Sequence, residues 1–223
     1  MIHYLLHGRV QLALHKLKHG AGTPLLLLHG LGERSPSMLP PEYAPWPGPV
    51  HALDFTGHGA SDVPRGGGYT CEFLMADADA ALAHLGTATV VGRGLGAYVA
   101  LLLAGGRPEQ VRGVILRDGP GLAGGGTSAK NPYIPVVDTT QIAPPDPYAI
   151  ADLATDARPP TYAGNYAMLA VQRSDLEHPI TVCTCEQPDW LTAAMSLLSL
   201  EKVDFTDALR DYALLASQAS HAA

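Results

Sequence analysis

Short apolar runs, each bounded by turn-forming residues, recur along the chain. They lie at residues 25–28, 50–53, 87–91, 111–116 and 180–184. Runs of this length predict strands that are buried on both faces of a parallel sheet. A different pattern precedes them, because Val10, Leu12 and Leu14 occupy alternate positions after a turn at Gly8. Alternation with period two is typical of a half-buried strand, so residues 2–14 are predicted to form an amino-terminal β-hairpin.

Two helices are predicted between these strands. In residues 71–85, the apolar residues Leu74, Ala78 and Leu82 recur at helical spacing. Residues 94–104 are apolar almost all round, which indicates a helix buried within the fold. Strand and helix therefore alternate, as in an open, doubly wound α/β sheet.

The stretch 120–160 breaks this rhythm. It is dense in Pro, Gly, Asp and Thr, and only residues 148–154 have a helical pattern. We interpret residues of about 120–178 as a lid insertion within one domain, residues 1–223, because a chain of this length suits a single hydrophobic core. Tyrosines such as Tyr162 would give the lid apolar faces with polar tips.

The composition is that of a soluble globular protein, with 47% hydrophobic residues, 16% charged residues and a mean hydropathy of +0.08. The net charge of −7 comes without any cluster of lysine or arginine, which argues against binding to nucleic acid or to an anionic membrane. Residues 1–4 show neither the basic region nor the cleavage site of a secretory signal, so a cytoplasmic location is expected.

The three cysteines, Cys71, Cys183 and Cys185, cannot all pair with one another. Cys183 and Cys185 also lie too close in an extended run for an unstrained bridge. We interpret all three as reduced, buried thiols. Neither a cofactor nor a metal ion is predicted.

Three glycine-containing segments follow predicted strands, at the edge where open α/β sheets bind their ligands. The first reads LLLLHGLG over residues 25–32, the second reads DFTGHGASD over residues 54–62, and the third reads VVGRGLG over residues 90–96. The third segment lies between a predicted strand and the apolar helix.

Together these segments resemble those of the α/β-hydrolase family. In that family a His-Gly turn places an oxyanion-hole amide, an acidic residue precedes a Gly-His-Gly loop, and the nucleophile elbow reads G-x-S-x-G. Order and spacing agree over residues 2–118 and weaken beyond Asp118. The resemblance implies an α/β-hydrolase fold, with a mostly parallel, doubly wound sheet and a short lid insertion after the sixth strand. It also implies hydrolysis by a Ser-His-acid triad.

The elbow departs from the family pattern, because Gly94 stands where the family has serine. Glycine offers no hydroxyl, so no acyl-enzyme can form at this position. The elbow also holds its central residue in a strained backbone conformation, which glycine tolerates. Loss of the serine is therefore expected to stabilise the turn.

The general base is missing as well. The family's histidine follows the last strand, yet no histidine occurs between His178 and His221. Glu186 and Asp189 lie in the turn where the family carries its acid, and a short strand at residues 203–205 is predicted after it. Two missing roles indicate a pseudo-hydrolase.

Three other side chains are candidates for catalysis: His29, His58 and Asp118. His29 would polarise a bound carbonyl, but a His-Gly turn of this kind mostly serves loop structure. His58 receives the same structural interpretation. Asp118 ends a predicted strand without a histidine to orient, so it is interpreted as a loop or helix cap.

The predicted ligand site uses the backbone more than side chains. The amides of Leu31 and Leu95 remain able to hold an oxyanion or a carboxylate beside a glycine elbow. With His29, Gly30 and Gly94 they form the predicted binding site. The predicted ligand is a small, partly apolar molecule with a carbonyl or anionic group, and a protein partner is the alternative.

Two other functions stay open from the residues alone. An enzyme with a non-serine mechanism, such as a lyase, an isomerase or a weak esterase, would use one of the three candidate side chains. The pattern Gly92-x-Gly94-x-x-Ala97 also fits a dinucleotide-binding fingerprint. That fingerprint usually opens the first strand of its domain, whereas three predicted strands and the His-Gly and Gly-His-Gly loops precede it here. A non-catalytic, ligand-binding member of the family is the favoured hypothesis.

Overall fold

The structure is a computed structural model, and it describes residues 1–65, 67–122, 140–141, 143–154 and 158–218. Within those residues the strands are β1 (Ile2–His7), β2 (Val10–Lys18), β3 (Leu25–Leu28), β4 (Val50–Leu53), β5 (Ala88–Arg93), β6 (Val111–Arg117) and β7 (Ile180–Cys183). They form one sheet in the order β1-β2-β4-β3-β5-β6-β7.

The direction of the strands follows the two hydrophobic patterns of the sequence. The alternating segments β1 and β2 form the predicted hairpin, with Gly8 at a φ of 61° in its turn. β2 also pairs antiparallel with β4, whereas β4, β3, β5, β6 and β7 pair parallel to one another. The mostly parallel sheet of the predicted α/β fold is therefore confirmed.

Helices cover both faces of this sheet. They are α1 (Cys71–Leu85), α2 (Leu95–Gly106), α3 (Pro147–Asp152), α4 (Pro160–Arg173), α5 (Asp189–Leu198) and α6 (Phe205–Gln218). The larger apolar cluster joins Leu26 and Leu28 to helices α1 to α5, whereas the smaller one joins Leu25 and Leu27 to α6. Successive side chains of a strand point to opposite faces, so the two clusters lie on opposite sides of the sheet.

The helix α1 begins and ends where its apolar spacing predicts. The side chain of Thr70 accepts a hydrogen bond from the amide of Phe73 at 3.2 Å, which satisfies one free donor of the first turn. Gly86 follows the last helical residue with a φ of 81°. None of the helices in the described part of the chain has the length and apolar character needed to cross a lipid bilayer.

The connection from β3 to β4 carries no α-helix. It runs through residues 29–49 and contains only a 3-10 helix at Pro41–Tyr43. Parallel strands are usually joined by an α-helix that packs on the sheet. Here Trp46 is buried instead, and its indole N–H donates to the carbonyl of Thr23 at 2.9 Å. This irregular covering leaves room at one end of the sheet.

Part of the predicted lid range packs as an ordinary layer of the fold. In α4, Ala163, Ala167 and Ala170 are buried in the cluster that also contains α2. The hydroxyl of Tyr162 donates to Oε1 of Glu72 at 2.8 Å, which fastens α4 to α1. The division into one domain with a lid at about 120–178 remains a prediction.

Two local predictions are wrong. Residues 203–205 do not form a strand: Lys202 makes an isolated bridge with Val182, and α6 already begins at Phe205. The three cysteines are free, as expected, but only Cys71 is buried, whereas Cys185 is exposed. The chain bends into α6 too early for a strand to form, and Cys185 lies in the turn after β7, beyond the buried part of the sheet.

Candidate functional site

The elbow is a sharp turn between β5 and α2, with Gly94 alone between them. Its backbone has φ of 50° and ψ of −114°, a conformation that residues with a Cβ rarely adopt. A Cβ atom at Gly92 would collide with the backbone of Gly96, so the glycines on either side permit the strand and the helix to approach closely. The sequence placed the turn correctly, and the three glycines are what its geometry requires.

The chain itself occupies the position that the family's nucleophile would take. A Cβ atom at Gly94 would collide with the carbonyl groups of Gly119 and Pro120. These residues directly follow β6 and are held against the elbow because the amide of Gly94 donates to the carbonyl of Arg117 at 3.0 Å. Any side chain at position 94 would require this segment to move.

The two amides predicted to hold a ligand converge on one acceptor. The carbonyl oxygen of Pro120 accepts hydrogen bonds from the amide of Leu31 at 2.9 Å and from the amide of Leu95 at 3.0 Å. The prediction that these amides face a common point is consistent with this geometry. The acceptor, however, belongs to the chain, which sequence patterns could not indicate.

Little room remains beside Gly94. The residual cavity between the elbow, Asp118 and Trp190 has a volume of about 10 Å³. That volume is at the limit of what one water molecule needs. In the part of the chain that the structure describes, the elbow is therefore closed to a larger ligand.

His29 bridges two loops through both of its ring nitrogens. Its Nδ1 donates to the carbonyl of Gly30 at 2.8 Å, and its Nε2 accepts from the amide of Phe55 at 3.1 Å. Burial lowers the pKa of His29 to about 4, and the neighbouring His58 adds to this effect. The ring is neutral near pH 7 and has no free nitrogen for proton transfer.

His58 is held in the same way. Its Nδ1 donates to the carbonyl of Thr56 at 3.1 Å, and its Nε2 accepts from the amide of Gly32 at 3.2 Å. Burial lowers the pKa of this imidazole below its ordinary value. The structural interpretation of both histidines accounts for every polar atom of their rings.

Asp118 ties the end of β6 to the turn after β7. Its carboxylate accepts hydrogen bonds from the amides of Cys185 at 2.6 Å and Glu186 at 3.1 Å. The side chain thus acts as a loop cap, as its position at a strand end predicts. Glu186 and Asp189, the other acidic candidates, are exposed in and after that turn.

Asp54 explains why the second motif has an acidic residue before Gly-His-Gly. The buried carboxylate accepts from the amides of Ser35 at 2.6 Å and Ala60 at 2.8 Å, and it contacts Nε2 of His15 at 2.9 Å. Burial alone would raise the pKa of Asp54, but the hydrogen bonds from Ala60, Ser35 and His15 outweigh it and lower that pKa. The acidic residue of the motif therefore supports the loops around it.

A second cavity, of about 250 Å³, lies near the carboxyl ends of β3, β5 and β6. Three arginines, Arg34, Arg93 and Arg117, are among the residues that line it. Sequence analysis missed these residues, although a signal was present. Arg93 occupies the variable position of the elbow motif, and Arg117 ends an otherwise apolar strand.

The geometry of the elbow does not favour the dinucleotide-binding alternative, because the place for a pyrophosphate is occupied. A pyrophosphate in such proteins lies at the amino terminus of the helix that follows the glycine motif. Here the first amide of that helix, at Leu95, donates to Pro120. The turn is also closed by a segment that follows the next strand, so no phosphate can approach it in this conformation.

A mostly parallel sheet, a sharp glycine elbow and two amides that converge beside it define a protein of α/β-hydrolase architecture. The chain belongs to the alpha/beta hydrolase family, whose model matches residues 25–219. The match covers the three motifs, both cavities and the helices that follow β7.

Several solved structures match nearly the whole chain, including the following two. A hypothetical protein from Pseudomonas aeruginosa PAO1 is 18% identical, with a TM-score of 0.61, and the match covers 100% of this chain and 99% of that one. The thioesterase domain from the curacin biosynthetic pathway is 17% identical, with a TM-score of 0.58 and 98% of each chain covered. At these identities the likeness shows the fold alone.

Other similar structures are larger. Epoxide hydrolase A from Mycobacterium thermoresistibile is 23% identical over 55% of this chain, with a TM-score of 0.45. This chain spans only 40% of the length of that enzyme. The comparison with curated proteins gives no match.

Proposed function

We propose that this member of the α/β-hydrolase family does not hydrolyse esters and serves as a binding protein for a small, partly apolar molecule with a carbonyl or anionic group. One observation carries the first part. The carbonyl of Pro120 occupies the two amides, of Leu31 and Leu95, that would stabilise an oxyanion. An acyl-transfer enzyme needs those donors free at the moment of reaction.

The elbow supports the same proposal. Acyl transfer requires a nucleophile, and Gly94 has no side chain. The space that a serine would need is filled by Gly119 and Pro120. Restoration of the hydroxyl would therefore also require displacement of this segment.

The histidines of the described chain offer no replacement base. None of them lines the residual cavity beside Gly94. His29 and His58 use both ring nitrogens in hydrogen bonds to loops. His221, the remaining histidine after β7, lies outside the described residues. A non-serine enzyme built on these side chains has no support in their geometry.

We propose a ligand site at the elbow that opens only when the chain rearranges. It comprises His29, Gly30, Leu31, Gly94 and Leu95. A carbonyl or carboxylate can reach the two amides only after Pro120 gives them up. The displaced hydrogen bonds set the cost of this rearrangement at roughly 1 kcal/mol each. A ligand that binds without such a rearrangement must use a cavity away from the elbow.

The test is to incubate the protein with a serine-reactive fluorophosphonate and to record its intact mass, with a known serine hydrolase treated in parallel. We expect no adduct, and no turnover of p-nitrophenyl butyrate above that of heat-denatured protein. A stoichiometric adduct that peptide mapping places on one serine would falsify the proposal. Turnover that survives purification over two unrelated columns would do the same.

A further inference from the structure

The cavity near the ends of β3, β5 and β6 has an apolar floor that the strand register builds. Leu27 pairs with Ala52 on β4 and with Val91 on β5. Cross-strand partners point to the same face of a sheet, so the three side chains lie side by side, and all three line the cavity. This floor suits the apolar body of a small molecule.

Two arginines stand directly opposite each other at the edge of this floor. Arg93 ends β5 and Arg117 ends β6, and they are register partners. Arg93 lies two residues after Val91 in β5, and Arg117 lies two residues after the core residue Ile115 in β6. Side chains two residues apart in a strand point to the same face, so both arginine side chains lie on the same face as Val91. Like charges at directly opposite positions are destabilising in a sheet unless other groups offset the repulsion.

Other residues hold these guanidinium groups in place. Arg93 donates to Oε1 of Glu33 at 3.0 Å. Arg117 donates to the hydroxyl of Tyr43 at 2.9 Å, and its guanidinium carbon lies 3.9 Å from the centre of the Phe205 ring. A guanidinium group that is already positioned loses less conformational entropy when an anion binds.

The charges around the cavity do not cancel. Glu33 offsets Arg93, and Glu42 lies 3.6 Å from Arg117, whereas no carboxylate pairs with the exposed Arg34 among the described residues. The lining therefore carries one more positive than negative charge, in a chain whose net charge is −7. One excess positive charge matches one monovalent anion.

We propose that this arginine-lined cavity binds a small organic monocarboxylate, with its carboxylate between the guanidinium groups and its short apolar body on the Leu27 floor. Planar guanidinium groups pair with carboxylates through two parallel hydrogen bonds. The volume of about 250 Å³ lies just below the usual range for drug-sized ligands, so the apolar body is short. This inference gives the binding role proposed above a site away from the elbow.

The experiment is a titration of isotopically labelled protein with hexanoate, followed by the amide and arginine side-chain signals at pH 7 and low ionic strength. We expect saturable shifts at Arg93, Arg117 and Val91. The amides of Leu31 and Leu95 should not shift, because they stay bonded to Pro120. Hexanamide, which lacks the charge, is expected to bind at least roughly tenfold more weakly.

Variants locate the site. Arg93→Gln and Arg34→Gln should each raise the dissociation constant for hexanoate roughly tenfold, since each removes a charge-assisted donor. Arg34 pairs with no carboxylate in the part of the chain that the structure describes, so its variant keeps the test valid if Arg93→Gln unfolds. Arg210→Gln is the matched control, because Arg210 pairs with Asp207 on the surface of α6 and should leave the affinity unchanged.

Each contrary outcome overturns a distinct claim. If hexanoate fails to bind, or binds both arginine variants as tightly as the native protein, the proposed cavity site is wrong. The lack of hydrolysis is unaffected, because the fluorophosphonate experiment tests it separately. If hexanoate instead shifts the Leu31 and Leu95 amides, the ligand displaces Pro120 and the site is the elbow. Tighter, arginine-dependent binding of hexyl phosphate would overturn the assignment to a carboxylate.

Discussion

The carbonyl oxygen of Pro120 lies 3.0 Å from the amide nitrogen of Leu95 and accepts its hydrogen bond. This contact joins the segment after β6 to the start of α2, and it fills the place where a substrate oxyanion would bind. The packing of this segment against the elbow and the occupancy of both amides therefore have one structural cause. Substitutions at Gly94 should reveal it.

Gly94→Ala should destabilise the protein more than an alanine at another glycine of similar φ. Gly8 is the matched control, because its φ is 61° and a Cβ atom there would meet nothing within 4 Å. We expect Gly8→Ala to cost about 1–2 kcal/mol from backbone strain. Gly94→Ala should cost about 1–3 kcal/mol more, because Gly119 and Pro120 must move. Urea unfolding gives both values.

Gly94→Ser in the same series should be destabilised and should remain without esterase activity. A hydroxyl without a general base is a weak nucleophile, and the oxyanion donors stay bonded to Pro120. Equal costs at positions 8 and 94 would contradict the steric argument. Competent turnover of p-nitrophenyl butyrate by the serine variant would reveal a general base that His29 and His58 do not supply.

Asp54→Asn should destabilise the fold without any effect on ligand binding. The asparagine side chain places its NH₂ group, which is a donor, opposite the backbone N–H of Ser35 or Ala60, which is also a donor. It also lacks the negative charge that strengthens these hydrogen bonds. We expect a loss of about 2–4 kcal/mol. Asp62→Asn is the control, since the exposed Asp62 accepts from Gln11 and should cost about 1 kcal/mol or less. Equal losses in the two variants would refute the role of Asp54 as loop support.

The pH dependence of the Asp54 effect has a defined sign. The pKa of Asp54 in the native state is below its ordinary value of 3.8, through the amide and His15 contacts that outweigh burial. Its contribution to stability is therefore present at neutral pH and is lost as the pH falls below 3.8 and through the native pKa. The difference between native protein and Asp54→Asn should shrink in urea titrations at progressively lower pH.

His29 should make the protein less stable as the pH falls from 6.5 towards 4. Burial, with a smaller effect of His58, lowers the pKa of His29 from 6.5 to about 4, so in this window the unfolded state binds a proton that the native state does not. Over this pH range, His29 lowers the free energy of unfolding by at most about 3 kcal/mol.

The measurement compares His29→Gln with His178→Gln across this pH range. Glutamine can donate to Gly30 and accept from Phe55, as His29 does, but it does not titrate. The slope of unfolding free energy against pH should therefore be shallower in His29→Gln. It should be unchanged in His178→Gln, whose native side chain is 82% exposed. Parallel curves for the native protein and His29→Gln would show that His29 is not the titrating group.

One thiol of the three should react quickly. Cys185 is exposed, Cys71 is buried, and burial raises the pKa of the half-buried Cys183 to about 11. Because the thiolate is the reactive form, we expect iodoacetamide at pH 8 to label Cys185 first. Peptide mapping after a short exposure checks this, and Cys185→Ser should remove the fast phase. Early labelling of Cys71 would indicate that the core opens locally.

The sequence by itself determined the seven strands, the helix α1 and the identity of the missing nucleophile. The spacing of apolar residues predicted β1 to β7 and the bounds of α1, because these patterns reflect local periodicity and burial of one face. The absence of a hydroxyl at Gly94 needs no structure to be known. The left-handed turn that Gly94 adopts was also implied, since glycine is the residue that such a turn favours.

The tertiary structure alone decided what fills the site and where a ligand has room. Pro120 is 25 residues from Leu95 in the chain, and only the packing of the β6 end against the elbow brings its carbonyl to two amides. The opposition of Arg93 and Arg117 likewise depends on the register between β5 and β6. Neither relation leaves a periodic trace in the sequence, because hydrogen-bond partners and cross-strand neighbours are set by long-range packing, not by local spacing.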